Sequence, residues 1–141
     1  MVLDVLTPGT FPNGLVHLKH LQGRKYEVAE PFQYVSKAGR LFTVPMGFIT
    51  DGGSVPRLMW TLYPPFGSDC DEAYVLHDYI YAHAEALTMN RGEGDALMRE
   101  VMDVKGFRKT GRGVLWLGVR LGGWKAWGKH RNAAKTPEAA G

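Results

Sequence analysis

The sequence predicts a small α+β domain in which an N-terminal antiparallel β-meander precedes three or four helices, two of them packed as an antiparallel pair. Apolar and polar residues alternate between Lys25 and Asp51, and after Asp51 apolar residues recur at helical spacing. With 141 residues, 45% hydrophobic and 22% charged, the chain has the length and composition of a single globular core. This composition excludes a coiled coil, a collagen-like fibre and a disordered chain.

Strands are expected in the first third of the chain. Residues 1–23 contain several prolines and glycines and predict an extended or irregular arm. Residues 26–28 and 32–34 alternate between apolar and polar and predict strands. Residues 37–40 predict a hairpin turn. The returning strand and its continuation are predicted at Leu41–Val44 and at residues 48–50.

Helices are expected after Asp51. A short first helix is capped by Ser54 and ends near Tyr63, before two prolines. Apolar spacing predicts two longer helices, over residues 72–88 and 93–105. Their starts resemble capping boxes, Ser68 with Asp71 and Asn90 with Glu93. Since the connection is short, these two helices should pack antiparallel. A last helix is predicted over residues 113–128.

One domain is expected over residues 1–131, followed by a flexible Ala-rich tail at 132–141. No run of residues approaches the ~18 apolar residues of a spanning helix, and the N-terminus lacks a signal-peptide layout. Cys70 is the single cysteine, which excludes an internal disulfide. We therefore expect synthesis and folding in a reducing cytoplasm.

The charge of the chain is concentrated at its C-terminal end. Residues 1–104 hold eight Lys/Arg and 13 Asp/Glu, a net charge of −5, whereas residues 105–141 hold nine and one, a net charge of +8. Such asymmetry favours contact with nucleic acid, lipid headgroups or an acidic subunit. The alternative is a solvated basic tail that keeps the protein soluble.

Tryptophans and basic residues alternate with apolar ones within this basic end. The candidate interface residues are Trp116, Arg120, Trp124, Lys125 and Trp127. Their pattern suits a helix that contacts an anionic membrane or another subunit. The alternative is a core helix with a basic outer face. Nucleic-acid binding ranks lower, because only charge and no recognition motif supports it.

The most informative helix is the one predicted over residues 72–88. Tyr74, His77 and Tyr81 lie on one stripe of it, with Asp78 at the edge of that stripe. If the next helix packs antiparallel, Asp95 comes close to the stripe. The spacing therefore predicts a titratable imidazole beside a carboxylate and two phenols.

This grouping has a catalytic and a structural interpretation. In the first, Asp95 accepts a hydrogen bond from His77 Nδ1–H, and Nε2 faces solvent and takes a proton from water. Asp78 then remains for a hard cation such as Ca²⁺. In the second, His77 is a satisfied boundary residue and Asp95 pairs with Arg99.

The turn before the first predicted helix also has two interpretations. Gly52 and Gly53 expose backbone N–H groups that suit an anion or an oxyanion, and Asp51 would join Asp78 around a metal. Alternatively, the same residues form only a tight strand-to-helix turn capped by Ser54.

Several punctuated motifs follow one another in a fixed order. They are Phe42-x-Val44-Pro45-x-Gly47-Phe48-x-Thr50-Asp51, Ser54-Val55-Pro56-Arg57, His77-Asp78-x-x-Tyr81, Arg91, Asp95 and Val119-Arg120. Over residues 25–125 they resemble a domain family of tailed bacteriophages and prophages that carries no settled function. The resemblance implies a phage protein that is made in the host cytoplasm and then enters the virion, in the tail or neck. Its partners would be other virion subunits.

A second resemblance covers residues 74–98. His-Asp-x-x-Tyr followed by an Asp on the next helix is similar to the active-site helix pair of phospholipase A2 enzymes. This resemblance implies that His77 is a general base, that Asp95 orients it and that Tyr81 supports the pair. It also implies that Asp78 is a ligand of Ca²⁺, with Gly52 and Gly53 as the nearest candidates for the calcium loop.

Two functions follow. One is a phage hydrolase that acts on envelope lipid or a related ester through His77 and Asp95. The other is a non-catalytic virion protein in which the His-Asp helix only organises the fold. The first predicts that His77, Asp78 and Asp95 converge on a solvent-accessible cleft.

Overall fold

Strands precede Asp51 and helices follow it, so the predicted α+β class is confirmed. The structure is a computed structural model that describes residues 6–51, 70–106, 116–117, 120–122 and 127–128. Within these ranges, no helix has both the length and the apolar character needed to cross a membrane.

The strands form two antiparallel sheets instead of one continuous meander. They are β1 (Leu18–His20), β2 (Tyr26–Val28), β3 (Phe32–Val35), β4 (Leu41–Val44) and β5 (Ile49–Thr50). One sheet has the order β1-β2-β5, and the other consists of β3 and β4. Both edges of β2 are occupied, one by β1 and the other by β5. On the β5 side, Val28 also exchanges backbone hydrogen bonds with Gly47 and Phe48, just before β5. As a result β3 has no place beside β2.

The predicted hairpin turn lies between β3 and β4. The amide of Gly39 donates to the carbonyl of Ser36, and Gly39 has a φ of +91°, which favours glycine. On β4, Phe42 and Val44 are buried, whereas the alternate residues are exposed. The alternation read from the sequence therefore places one face of this hairpin in the core.

Two helices complete the described core, α1 (Asp71–Leu87) and α2 (Arg91–Val104). The capping box at the start of α2 is confirmed, since the side chains of Asn90 and Glu93 each accept from the other's backbone amide. At the start of α1, Cys70 is the N-cap residue and makes no side-chain capping bond. The predicted cap Ser68 lies outside the described residues.

The two helices pack antiparallel, as predicted. Lys105, just after α2, places its Nζ atom 2.6 Å from the carboxylate of Glu72 at the start of α1. At the other end, Gly94 in the first turns of α2 lies against Ile80 and Tyr81 in the second half of α1. This packing brings the middle of α1 next to the start of α2.

Some predicted elements fall outside the described residues. These are the short helix of residues 54–63, the tail of residues 132–141 and part of the helix predicted over residues 113–128. In the last of these, residues 116–117, 120–122 and 127–128 are helical.

Candidate functional site

A cluster of polar side chains joins the middle of α1 to the start of α2. His77 and Tyr81 come from α1, and Asp95 comes from α2. His77 Nε2 lies 2.7 Å from Asp95 Oδ1, and the Tyr81 hydroxyl donates to the same oxygen at 2.5 Å. The side chains of His77 and Asp95 are 0% exposed. The sequence therefore identified three residues that the fold brings into direct contact.

The details of the His77 contact correct two expectations. Nε2, and not Nδ1, contacts Asp95, and His77 is buried where a solvent-facing ring was expected. The reason lies in helix packing. Packed helix axes are about 8–10 Å apart, so a side chain that bridges them reaches its partner with its far end. Nε2 is the imidazole nitrogen farther from the backbone.

Both carboxylate oxygens of Asp95 have partners. Its Oδ2 atom lies 3.3 Å from Arg120 Nη1 and 3.9 Å from Arg91 Nε. Burial alone would raise the pKa of Asp95, but its polar partners together lower that pKa, with the hydrogen bond and charge of His77 as the largest of these effects. The hydrogen bond from Tyr81 and the charge of Arg91 act in the same direction. Asp95 is therefore a carboxylate at neutral pH, in spite of its burial.

Tyr81 is a neutral donor to this carboxylate. Burial raises the pKa of Tyr81 far above its ordinary value, and the neighbouring Asp95 raises it further. The Tyr81 ring lies 4.2 Å, centroid to centroid, from the ring of His77 and makes an edge contact with Trp127 at 5.2 Å. Ring packing and a charge-assisted hydrogen bond thus fix the same phenol.

Asp78 points away from this cluster, towards β5. It is buried, and its Oδ2 atom accepts a hydrogen bond from the hydroxyl of Thr50. Asp51, the other predicted metal ligand, is exposed. Among the described residues, no group of three or more His, Cys, Asp and Glu side chains is placed to hold a metal ion. The predicted oxyanion residues Gly52 and Gly53 lie outside the described residues.

The expected convergence on a cleft is therefore met only in part. His77 and Asp95 meet, but Asp78 faces elsewhere and all three are buried. A cleft of about 280 Å³ does open between the β3–β4 hairpin and α2. It is lined by residues such as Arg40, Phe42, Leu97 and Glu100, and by none of the three.

Three of the predicted interface residues lie against the helix pair. The Arg99 guanidinium lies over the ring of Trp116, 5.4 Å from its centroid. Arg120 contacts Asp95, and Trp127 contacts Tyr81. Trp124 and Lys125 lie outside the described residues. Arg99 thus packs on Trp116, and Arg91 and Arg120 are the arginines at Asp95.

Sequence spacing could have revealed one of the two arginines at Asp95, but not the other. Arg91 precedes Asp95 by one helical turn, the spacing of a local ion pair, although sequence analysis gave it no role. Arg120 was predicted to face a membrane or a subunit. Nothing local to Arg120 indicates its contact with Asp95, because 25 residues separate the two.

The fold and this cluster define a small α+β domain built around a buried His–Asp–Tyr group. Residues 26–119 match a protein-family model described as "Protein of unknown function (DUF1353)", and the chain belongs to that family. Comparisons with curated proteins and with solved structures gave no match.

Proposed function

We propose that this chain is a tailed-phage or prophage protein that hydrolyses an ester of the host envelope, with His77 as general base and Asp95 as its orienting partner. It acts as part of the virion, in the tail or neck, or on the envelope directly. The observation that carries the proposal is the pair of contacts on Asp95 Oδ1, from His77 Nε2 and the Tyr81 hydroxyl.

The charge pairing within this group supports a chemical role. A carboxylate and an imidazole with no solvent exposure cost free energy to bury, even when they are paired. A buried titratable group with a specific charge partner and a displaced pKa, as Asp95 is, is found more often at functional sites.

The geometry fixes the tautomer of the imidazole. Since Asp95 is ionised, Nε2 carries the hydrogen and donates it to Oδ1. In the neutral ring, Nδ1 therefore carries the lone pair that accepts a proton. Tyr81 and Arg120 hold Asp95 in place, so the ring keeps this orientation when it becomes charged.

The proposed reaction is the addition of water to an ester. Nδ1 of His77 takes a proton from water as the water oxygen bonds to the ester carbonyl carbon. Asp95 stabilises the imidazolium that forms. When the tetrahedral intermediate breaks its bond to the alcohol oxygen, His77 returns the proton to that oxygen. The products are a carboxylic acid and an alcohol, and His77 ends as it began.

Calcium is proposed as a cofactor on the phospholipase A2 resemblance only. The described residues do not make a calcium site by themselves, because Asp78 is bonded to Thr50 and no metal-binding group surrounds it in this part of the chain. No step above uses a metal. The calcium proposal is tested by comparing hydrolysis in Ca²⁺ and in EDTA.

A second function is favoured by one specific observation, the 0% exposure of both His77 and Asp95. In a non-catalytic virion protein, the cluster would serve only to fix α2 against α1. Other virion subunits would then be its partners, and the His77–Asp95 contact would contribute to stability alone.

The deciding experiment measures hydrolysis of phospholipid vesicles and of a soluble carboxylic ester by wild type, His77→Gln and His17→Ala. Gln can still donate to Asp95 from its amide but cannot act as a base. His17 is an exposed histidine and serves as the control. We expect His77→Gln to lower the rate by about 100-fold or more, and His17→Ala to leave it unchanged.

The same experiment separates the two functions. Thermal unfolding of each variant shows whether lost activity reflects lost folding. Full activity in a folded His77→Gln variant would disprove the catalytic role of His77. If the wild type turns over no ester with or without Ca²⁺, the non-catalytic function is the correct one.

A further inference from the structure

The cleft between the β3–β4 hairpin and α2 is lined by no residue of the His–Asp–Tyr group, and the proposed reaction does not use it. Its polar lining residues are one serine, one arginine and two glutamates, Ser36, Arg40, Glu93 and Glu100. We propose that this cleft, which we call the hairpin cleft, binds a free diamino acid such as lysine. The inference goes beyond the proposed function and does not depend on it.

The hairpin cleft has room for a small ligand with an aliphatic part. Its volume is about 280 Å³, and since one water molecule takes up about 30 Å³ of the liquid, it holds several waters or one small molecule. The rest of its lining is apolar and consists of Ala38, Phe42, Met89, Ala96 and Leu97. Methylene groups placed along these residues lose contact with water, which favours binding.

Two glutamates of α2 give the hairpin cleft an excess of negative charge. Glu93 Oε1 accepts from the Asn90 amide, and Glu100 Oε2 accepts from the Tyr34 hydroxyl and the Lys37 amide. Among the described residues, neither glutamate has an ion-pair partner, and neither uses its second carboxylate oxygen in a hydrogen bond. Each carboxylate is therefore held by one oxygen and can accept from an ammonium group with the other.

Arg40 is the cation of the lining. Its Nη2 atom donates to the carbonyl of Leu87, and its guanidinium lies over the ring of Phe42, 4.9 Å from the ring centroid. These contacts fix the guanidinium but leave its other N–H groups without a hydrogen bond in the part of the chain that the structure describes. A carboxylate of the ligand can accept from them.

Ser36 offers a second donor for the same carboxylate. It is 5% exposed, and its Oγ atom accepts from the amide of Arg40 at 3.0 Å. Its hydroxyl hydrogen has no acceptor within the described ranges. Because a buried donor without an acceptor costs free energy, an oxygen of a ligand bound beside Arg40 would be stabilising.

The charges and their positions define the ligand. A free diamino acid carries two ammonium groups and one carboxylate, which complement two glutamates and one arginine. Arg40 bonds to the last residue of α1, and Glu93 is in the first turn of α2, so both lie near the connection between the helices. Glu100 is seven residues further along α2, about 10.5 Å along the helix axis. The carboxylate and α-ammonium groups thus face Arg40 and Glu93, and the side-chain ammonium group faces Glu100.

Lysine has the length that this spacing requires. With bonds of about 1.5 Å, its two nitrogens lie roughly 7 Å apart when the chain is extended. Hydrogen bonds of about 2.8 Å at the two ends extend that reach to glutamates two helical turns apart. A shorter diamino acid could contact only one of them.

The first test titrates the wild-type protein with lysine and with analogues that each lack one feature. The NMR signals of the Ala96 and Leu97 amides report binding in the hairpin cleft. We expect lysine to shift them saturably, with a Kd of about 1 mM or lower. Norleucine lacks the side-chain ammonium group, Nα-acetyl-lysine the α-ammonium group, lysinamide the carboxylate and diaminopropionate the length. Each should bind about fivefold more weakly, because each loses one solvent-accessible charge pair.

The second test pairs each charge of the ligand with a residue. Glu100→Gln keeps an oxygen that accepts from Tyr34 and the Lys37 amide but loses the negative charge. We expect this variant to bind lysine about fivefold more weakly and norleucine as the wild type does. Arg40→Gln should weaken the binding of lysine and leave that of lysinamide unchanged. The control is Glu30→Gln, at an exposed glutamate that does not line the cleft, and it should bind lysine normally.

The outcomes decide the proposal without reference to ester hydrolysis. The absence of a saturable shift at Ala96 and Leu97, or shifts confined to other residues, would overturn the site. Equal affinity for lysine and norleucine would overturn the role of Glu100. Tighter binding of Nα-acetyl-lysine than of lysine would identify a lysine at the end of a peptide as the ligand and overturn the free diamino acid. The analogue series uses only the wild-type protein, so a variant that fails to fold cannot decide the result.

Discussion

The side chains of His77 and Tyr81, four residues apart on α1, meet on a single oxygen of Asp95. Their rings lie 4.2 Å apart, and the two contacts on Asp95 Oδ1 measure 2.7 and 2.5 Å. Because one oxygen accepts both donors, the other oxygen of Asp95 faces Arg91 and Arg120. Four side chains thus fix one carboxylate, and its removal should affect them together.

Replacement of Asp95 by asparagine tests the orienting role. The amide would keep the size of the side chain but lose the charge that stabilises the His77 imidazolium. We expect ester hydrolysis to fall by about 100-fold. The Asp103→Asn variant, which alters a solvent-accessible carboxylate paired with Lys37, should hydrolyse at the wild-type rate. An Asp95→Asn variant that is folded and fully active would show that the carboxylate has no part in the reaction.

The lowered pKa of Asp95 predicts how stability depends on acid. A carboxylate whose pKa is lower in the folded protein stabilises the fold at pH values above its unfolded pKa, here 3.8, and this contribution is lost as the pH falls through the folded value. We expect wild-type stability in urea to fall below about pH 4. In Asp95→Asn that fall should be smaller, although stability at neutral pH is lower. Parallel pH profiles for the two proteins would contradict this prediction.

The raised pKa values of two buried tyrosines predict how stability and tyrosine ionisation change at alkaline pH. Burial raises the pKa of Tyr34 and of Tyr81 above the ordinary 10.0, and the carboxylates of Glu100 and Asp95 raise them further. A raised pKa stabilises the fold below the unfolded value, and this contribution is lost as the pH rises through the folded value. Ultraviolet titration should therefore show Tyr34 and Tyr81 ionising only as the protein unfolds. Tyr34→Phe and Tyr81→Phe should each remove one of them.

Substitution of Gly94 tests how closely α2 approaches α1. A Cβ atom at this position would lie 3.0 Å from Cγ2 of Ile80, which is fully buried. Alanine normally favours a helix over glycine by ~1 kcal/mol, but overpacking costs ~1–3 kcal/mol. We expect Gly94→Ala to lower the free energy of unfolding by about 1 kcal/mol, measured in urea.

Gly92 provides the matched control for this variant. It lies two residues earlier on α2, and its nearest neighbours are the side chains of Asn90 and Arg120, at 3.4 and 3.6 Å. Gly92→Ala should leave stability unchanged or raise it slightly. If both variants were equally stable, the close approach of Gly94 to α1 would be wrong.

Local patterns predicted much of the fold. The hairpin turn around Gly39, the capping box of Asn90 and Glu93, and the extents of α1 and α2 all depend on residues close together in the sequence. Their spacing reports backbone geometry directly, through period-two alternation, period-3.6 recurrence and turn chemistry. The division of the strands into two sheets was not predictable in this way, because it depends on β5 reaching β2 from more than 20 residues away.

The sequence by itself determined that His77, Tyr81 and Asp95 would meet, because two amphipathic helices joined by a short loop must pack antiparallel. Only the tertiary structure decided that Nε2 makes the contact, that His77 is buried, and that Arg120 completes the site. Those features depend on the distance between packed helix axes and on contacts between residues far apart in the chain. Periodicity places a residue on a face of its helix, but the elements packed against that face determine its depth and its partner.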